Sequence, residues 1–302
     1  MARKTFRGIR EGNRLADVLI ILASVLVALV TIYPFYYVLI LSLSRPESAA
    51  TMRVYLLPDG WYLGGYQKVF TDLRLWISYR NTVFYAATET VLMLFTCVTF
   101  AYSLSCKQLK HRRLVNTFLL MPMYFSGGII PLFLLVMQMG LYNTPWSLIL
   151  PGAYSIWYII LVKAFFGTIP ESLKESAKID GANHYRTLWH IMLPISKPIL
   201  AVIALYTIVG AWNSWFRAAV FISNQNIQPL QLYLRRVLVS QSIDLVSELT
   251  TAEEIRAAQQ NAISDAQLKY TVIVIASLPM LAAYPFFQKY FVKGVMLGSL
   301  KE

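Results

Sequence analysis

The residues of this chain best arranged for chemistry lie in one polar stretch, ESAKIDGANHYRTLWHIMLP, running from Glu175 to Pro194 between two strongly apolar runs. It sets the carboxylate of Glu175 beside the small residues Ser176 and Ala177. Asp180 and Gly181 follow, and the stretch closes on Ile191, Leu193 and Pro194. A carboxylate flanked by small side chains suits contact with another protein. Backbones can approach closely there, and a charge-assisted hydrogen bond to a basic partner, desolvated on docking, is stronger than an exposed surface pair. The same residues do not suit catalysis. Nowhere does the chain carry a GxxxxGK[ST] phosphate loop, an HExxH pair, a Cys/His metal set or a serine elbow. No catalytic residue and no metal site is expected, and the chain is not expected to hydrolyse ATP. Cys97 and Cys106 have neither disulfide nor redox spacing and read as structural. His111, His184 and His190 fall on polar segments, where contact with headgroups or a partner is expected.

Two further sets sit inside apolar runs. GAWNSWFRAAVF, from Gly210 to Phe221, combines the stacking faces of Trp212, Trp215 and Phe216 with the amide of Asn213. These side-chain types bind sugar rings, but they equally form an aromatic belt with a helix-packing amide. Glu89 lies deep in another apolar run. A carboxylate there needs either a water-filled cavity or an interior partner, for which Arg80 and Arg217 are the candidates.

The elements that position these residues follow from composition. Hydrophobic residues make up 57% of the chain and charged ones 14%, against about a quarter charged in soluble domains. Residues 18–43 hold no charge, and a bilayer span needs about 20 mostly apolar residues. The runs lack the in/out alternation of a barrel strand, so an all-α integral membrane protein is expected. Six spans are read at about 16–43, 81–105, 114–138, 146–166, 195–222 and 269–291, within a single transmembrane domain over 1–302. The apolar segment after the basic head MARKTFRGIREGNR is too long for a signal-peptide core and no small-residue cleavage site closes it, so it reads as an uncleaved first span. Pro122, Gly127, Gly128 and Pro131 predict a kink in the third span.

The net charge of +12 is carried by short clusters beside the spans, which argues for orientation and anionic lipid contact and against nucleic acid. The head, the turn after span two (Lys107, Lys110, Arg112, Arg113), the 168–194 hairpin and the tail (Lys293, Lys301) fall on one side. The positive-inside rule makes that side cytoplasmic, with both termini on it. Loops 44–80 and 223–268 then lie outside. The first is rich in aromatics, as an interfacial belt is. The second holds LQLYLRRVLVSQ and a capping box, Thr251 with Glu254, and reads as scaffold or docking surface.

Within the hairpin, Thr168 and Glu171 read as another capping box around Pro170, with Ile169, Leu173, Ser176, Ala177 and Asp180 near one helix face. Gly181 is the residue type that ends such a helix. Asn183 can cap a second short helix whose Tyr185, Leu188, Trp189 and Met192 form an apolar face and which Pro194 ends. On pattern alone, the pair could also lie passively on the headgroups.

Glu175-Ser176-Ala177, three residues, Gly181, nine residues, Ile191, one residue and Leu193-Pro194 resemble the EAA motif of ABC importer permeases, with Ser in place of the first Ala. Asp180-Gly181-Ala182 is common in the carbohydrate branch. Residues 126–151, 229–236 and 286–301 are also similar to stretches of complex-sugar permeases, so the resemblance covers nearly the whole chain. It implies a maltose-permease-like core of six transmembrane helices in a bacterial cytoplasmic (inner) membrane. It further implies that the first short helix of the 168–194 hairpin is a coupling helix docking on a cytoplasmic ATPase, with Glu175 paired to a basic residue of that subunit and Ala177 and Gly181 allowing close contact. Ser176, Asp180, Ile191, Leu193 and Pro194 complete that surface. ATP and Mg would belong to the ATPase, and this chain would carry no cofactor. The expected partners are a second permease in a heterodimer, two ATPase subunits, an extracytoplasmic sugar-binding protein and membrane lipid. The cargo implied is a complex oligosaccharide, uronate-containing or otherwise large. The alternative, an ion-coupled secondary transporter acting without an ATPase, would want several intramembrane carboxylates and repeated halves. The chain offers essentially Glu89 and no repeat.

Overall fold

Long apolar stretches with no water to satisfy their backbone must close their hydrogen bonds internally, and they do so as helices. The computed structural model describes residues 14–106, 109–125, 127–243, 265–283 and 285, and no strand occurs among them. The helices, in order, are α1 (Arg14–Leu43), α2 (Pro46–Thr51), α3 (Gly64–Thr71), α4 (Leu73–Ser105), α5 (Arg112–Tyr124), α6 (Ile129–Gln138), α7 (Trp146–Gly152), α8 (Ile156–Thr168), α9 (Glu171–Ile179), α10 (His184–Ile195), α11 (Lys197–Trp212), α12 (Trp215–Phe221), α13 (Leu230–Ile243) and α14 (Asp265–Ala283). Ala16–Leu43 of α1, all of α4 and α14 are each long and apolar enough to cross a bilayer; if each of three bent pairs of helices is one span, the total among the described residues is six.

The chain divides into two compact units, 1–69 with 244–274 and 70–243 with 275–302. In the first, the C-terminal turn of α1 is fixed by one side chain. The Gln267 amide nitrogen donates to the carbonyls of Ser42, Ser44 and Tyr62, each at 3.1 Å. Gly65 is required beside it, because a Cβ there would press on Gln267 and Thr271. Tyr36 and Tyr37 donate to the carbonyls of Leu56 and Met52, which holds the aromatic loop against the helix.

In the second unit α4 is the axis. Its buried residues, among them Ser78, Thr82, Tyr85, Ala86, Glu89, Met93, Cys97, Ala101 and Leu104, recur every three or four positions and form one stripe. Small residues on that stripe let neighbouring helices approach closely. Toward one end Met93, Cys97 and Ala101 pack with Ile159, Val162 and Phe166 of α8, Met192 of α10 and Ile203 of α11. Toward the other, Tyr85 packs with Val136, Leu148, Ile149, Ala218 and Phe221. Tyr233 on α13 donates to Asp72 at 2.6 Å, and Asp72 also caps α4 by accepting from the Arg74 N–H. Burial and the Asp72 carboxylate raise the Tyr233 phenol above its ordinary range.

Several expected boundaries shift. The second span starts at Leu73, eight residues before the expected start. The third is two helices meeting at 114°, and the break lies at Gly127–Gly128, with Gly128 at φ +77. Pro122 is carried within α5, and Pro131 sits in the first turn of α6, where its missing N–H breaks no bond. The fourth is bent by 42° between α7 and α8. The fifth stops at Trp212 and resumes as α12. The sixth begins at Asp265. The Thr251–Glu254 capping box, the basic head and the 286–301 stretch lie outside the described residues.

Candidate functional site

The hairpin is built as a bracket of two capped helices. The expected capping box at Thr168 does not form. Its hydroxyl instead donates to the Phe165 carbonyl at 2.7 Å and finishes α8, while Pro170 takes the N-cap position of α9. At the other end Gly181 adopts φ +74. The Ala182 N–H reaches the Ala177 carbonyl at 2.8 Å and the Gly181 N–H the Lys178 carbonyl at 3.1 Å. These two bonds are the Schellman arrangement, which needs a left-handed residue at this position. Asn183 then caps α10 as expected, accepting from the Arg186 N–H at 2.9 Å.

α10 runs through Pro194 to Ile195 and does not end there. Pro194 has no N–H to offer the carbonyl four residues back. The helix absorbs this with a π turn over Leu188–Met192, in which the Leu193 N–H bonds the Leu188 carbonyl. After Ser196 the chain turns by 78° into α11. Leu188 and Met192 enter the core, whereas Tyr185 and Trp189 of the expected apolar face are exposed.

The faces of α9 are clearly sorted. Ala177 is 5% exposed and turned into the chain. Its small side chain lets α9 lie close to this chain's own residues. Ile169 at the root of the hairpin is buried in the core shared by α4 and α8. Glu175, Ser176, Ile179, Asp180 and Gly181 are exposed. These residues present two carboxylates with small neighbours and one apolar side chain. Ile191 and Leu193 are half-buried, and Pro194 is exposed. Two of the three histidines find partners within the chain: His184 Nδ1 lies 3.2 Å from the Tyr102 hydroxyl and His190 Nδ1 3.2 Å from the Arg186 carbonyl.

The aromatic set on α11 and α12 separates into different roles. Trp212 is buried, edge-on to Tyr79, and so packs within the bundle. The Asn213 amide donates to the Val209 carbonyl at 2.9 Å. Trp215 is half-buried, with Phe216 edge-on and the Arg235 guanidinium 3.7 Å from its ring centroid. Only Phe216 among the three aromatics is exposed.

Glu89 has Arg217 as its partner. One guanidinium nitrogen lies 3.2 Å from both carboxylate oxygens, and the two side chains are 7% and 22% exposed. Gly152 makes room for the pair, since a Cβ there would collide with both groups. Gly152 and Arg235 are the residues that sequence reasoning passed over. The one available signal was a glycine next to a proline in an apolar run.

The family described as "Binding-protein-dependent transport system inner membrane component" matches residues 111–297. The chain is 38% identical over 292 residues to protein LplC of Bacillus subtilis, covering 96% of each. It is 35% identical to the polygalacturonan/rhamnogalacturonan transport system permease protein YtcP of the same organism, covering 96% of this chain and 99% of that one. Among solved structures, it superposes with a TM-score of 0.79 on a chain of a bacterial ABC transporter involved in the import of the acidic polysaccharide alginate. That match is 33% identical and covers 93% of this chain and 99% of the other.

Proposed function

The chain belongs to the inner membrane components of binding-protein-dependent transport systems, and from that membership we propose that it is one permease half of an ATP-driven importer for an acidic oligosaccharide. The hairpin side is cytoplasmic in this reading, and α9 is the coupling helix. A second permease completes the path, two ATPase subunits supply the stroke, and an extracytoplasmic binding protein delivers the sugar. Uronate-containing cargo is favoured because the named relatives handle alginate or polygalacturonan and rhamnogalacturonan.

The observation that carries the reading is the sorting of α9. Its attachment is rigid and internal, through Ala177, Gly181 and the buried root at Ile169. Its carboxylate is left exposed on the far side. A helix held this way transmits a push from a docked protein into α8 and α10 without bending. An ion-coupled transporter would have no use for such a bracket, and Glu89, the carboxylate it would require, is already paired with Arg217.

Purification of the tagged chain from its own membranes is expected to bring down a second permease and an ATPase. Glu175→Lys is expected to abolish sugar uptake and weaken ATPase retention while leaving membrane insertion intact. Normal uptake by that variant would end the assignment of α9 as the coupling helix.

A further inference from the structure

A cavity of about 670 Å³ opens beside the hairpin between α5, α8 and the start of α9. Arg112, Lys163 and Lys174 line it, and Glu171 is the one carboxylate among its lining residues. Lys163 is notable for its depth. It sits in the otherwise uncharged helix IWYIILVKAFFGT, five residues before its end at Thr168, so about 7.5 Å inside it at the α-helical rise. Its ammonium donates to the Asn116 amide oxygen at 2.7 Å, a neutral partner that leaves the charge uncompensated. Cations at such depth are retained with an anion or an aqueous path nearby. The wall between the cations is apolar and small. Ile160 and Ala164 line it, and Gly167 faces open space. One turn before Ile160 on the same side of α8, Trp157 is exposed.

We propose that this cavity binds the phosphodiester headgroup of an anionic phospholipid, with Lys163, Arg112 and Lys174 around the phosphate and the acyl chains along Ile160 and Trp157. A soluble anion would account for the charges but not for the apolar flank, whereas basic pockets between helices at a membrane surface suit anionic headgroups. The site borders the one around Glu175, with which it shares Glu171 and Lys174 but not Glu175 itself, and it does not depend on which sugar is carried. A bound lipid would wedge the root of α9 against α5 and α8, so that the stiffness of the bracket depends on the surrounding membrane.

The test uses the complete importer in nanodiscs of phosphatidylcholine with a minor share of phosphatidylglycerol, and native mass spectrometry to count retained lipid. Wild type is expected to retain phosphatidylglycerol in preference to phosphatidylcholine. Lys163→Gln, which can still hydrogen-bond Asn116, is expected to lower that retention roughly fivefold, from about 1 kcal/mol per basic residue. Gly167→Phe fills the cavity without touching a charge and is expected to lower it as well. Loss in both variants, with assembly intact, supports the site. Equal retention of both lipids by wild type, or unchanged retention in both variants, overturns it. So does displacement of the lipid by inorganic phosphate, which would mark a free-phosphate site. Binding that appears only after the ATPase is stripped away would assign the cavity to an acidic group of that subunit and overturn it too.

Discussion

At the residue scale, the legible features were those whose chemistry is local. Glu175 and its small neighbours, Gly181 and Asn183 announce themselves by type and spacing, and Gly181 and Asn183 adopt the expected local geometry. The sequence named Arg217 as one of two partners for Glu89, but 128 positions separate the two and no local pattern selects Arg217 over the nearer Arg80. Packing decides it, because Gly152 leaves a slot in which Glu89 and the α12 cation meet. The pair's energetics are then predictable in sign. Breaking a buried pair strands a charge, at a cost of about 3–5 kcal/mol, while removing both charges is far milder. Arg217→Met alone is expected to lower the detergent-phase melting temperature sharply, and the double variant Glu89→Gln with Arg217→Met to recover most of the loss. A double variant as unstable as the single one would mean that the guanidinium is held by something other than Glu89.

At the element scale, hydropathy found all six apolar runs but not their breaks. A run such as 114–138 is apolar on both sides of Gly127–Gly128, so hydropathy does not see the break; the glycines and prolines announce a kink there, but not that it reaches 114°. The π turn at Leu188–Met192 was equally hidden, because proline shows where a hydrogen bond must fail but not how the backbone makes it good. The hairpin, by contrast, was readable because capping residues are scarce in apolar surroundings. Its stiffness rests on two of them. Gly181→Ala forces a Cβ into the left-handed region, at about 1–2 kcal/mol, and Asn183→Ala removes a cap worth about 1 kcal/mol. Both positions are exposed and neither touches the core, so the variants are expected to insert and assemble while α9 loosens. ATP hydrolysis should then persist with a lower sugar yield per ATP. An unchanged transport-to-hydrolysis ratio in both variants would show that the bracket's rigidity is irrelevant to coupling.

At the scale of the whole molecule, everything proposed for the hairpin depends on which side of the membrane it faces, and the charge asymmetry that orients the chain can be tested directly. The chain has two cysteines. Cys97 is buried, and Cys106 is half-buried; burial raises its thiol pKa, while Lys174 and Arg112 pull the other way. Replacing Cys106 with Ser gives a quiet background. A cysteine is then placed at Ser176, exposed on α9, or at Ser223, exposed where α12 meets the opposite turn through the N–H···Oδ1 bond to Asn143. A membrane-impermeant maleimide applied to spheroplasts is expected to label Ser223→Cys at once and Ser176→Cys only after the membrane is opened. The five arginines and lysines of the head, within residues 3–14, and the four of 107–113 all favour that result, since neither short segment carries an opposing excess of acid. The reverse pattern would place the exposed carboxylate of Glu175 outside the cell, beyond reach of any ATPase. The hairpin would then have to serve the binding protein, and the direction of the mechanical stroke through α8 and α10 would be inverted with it.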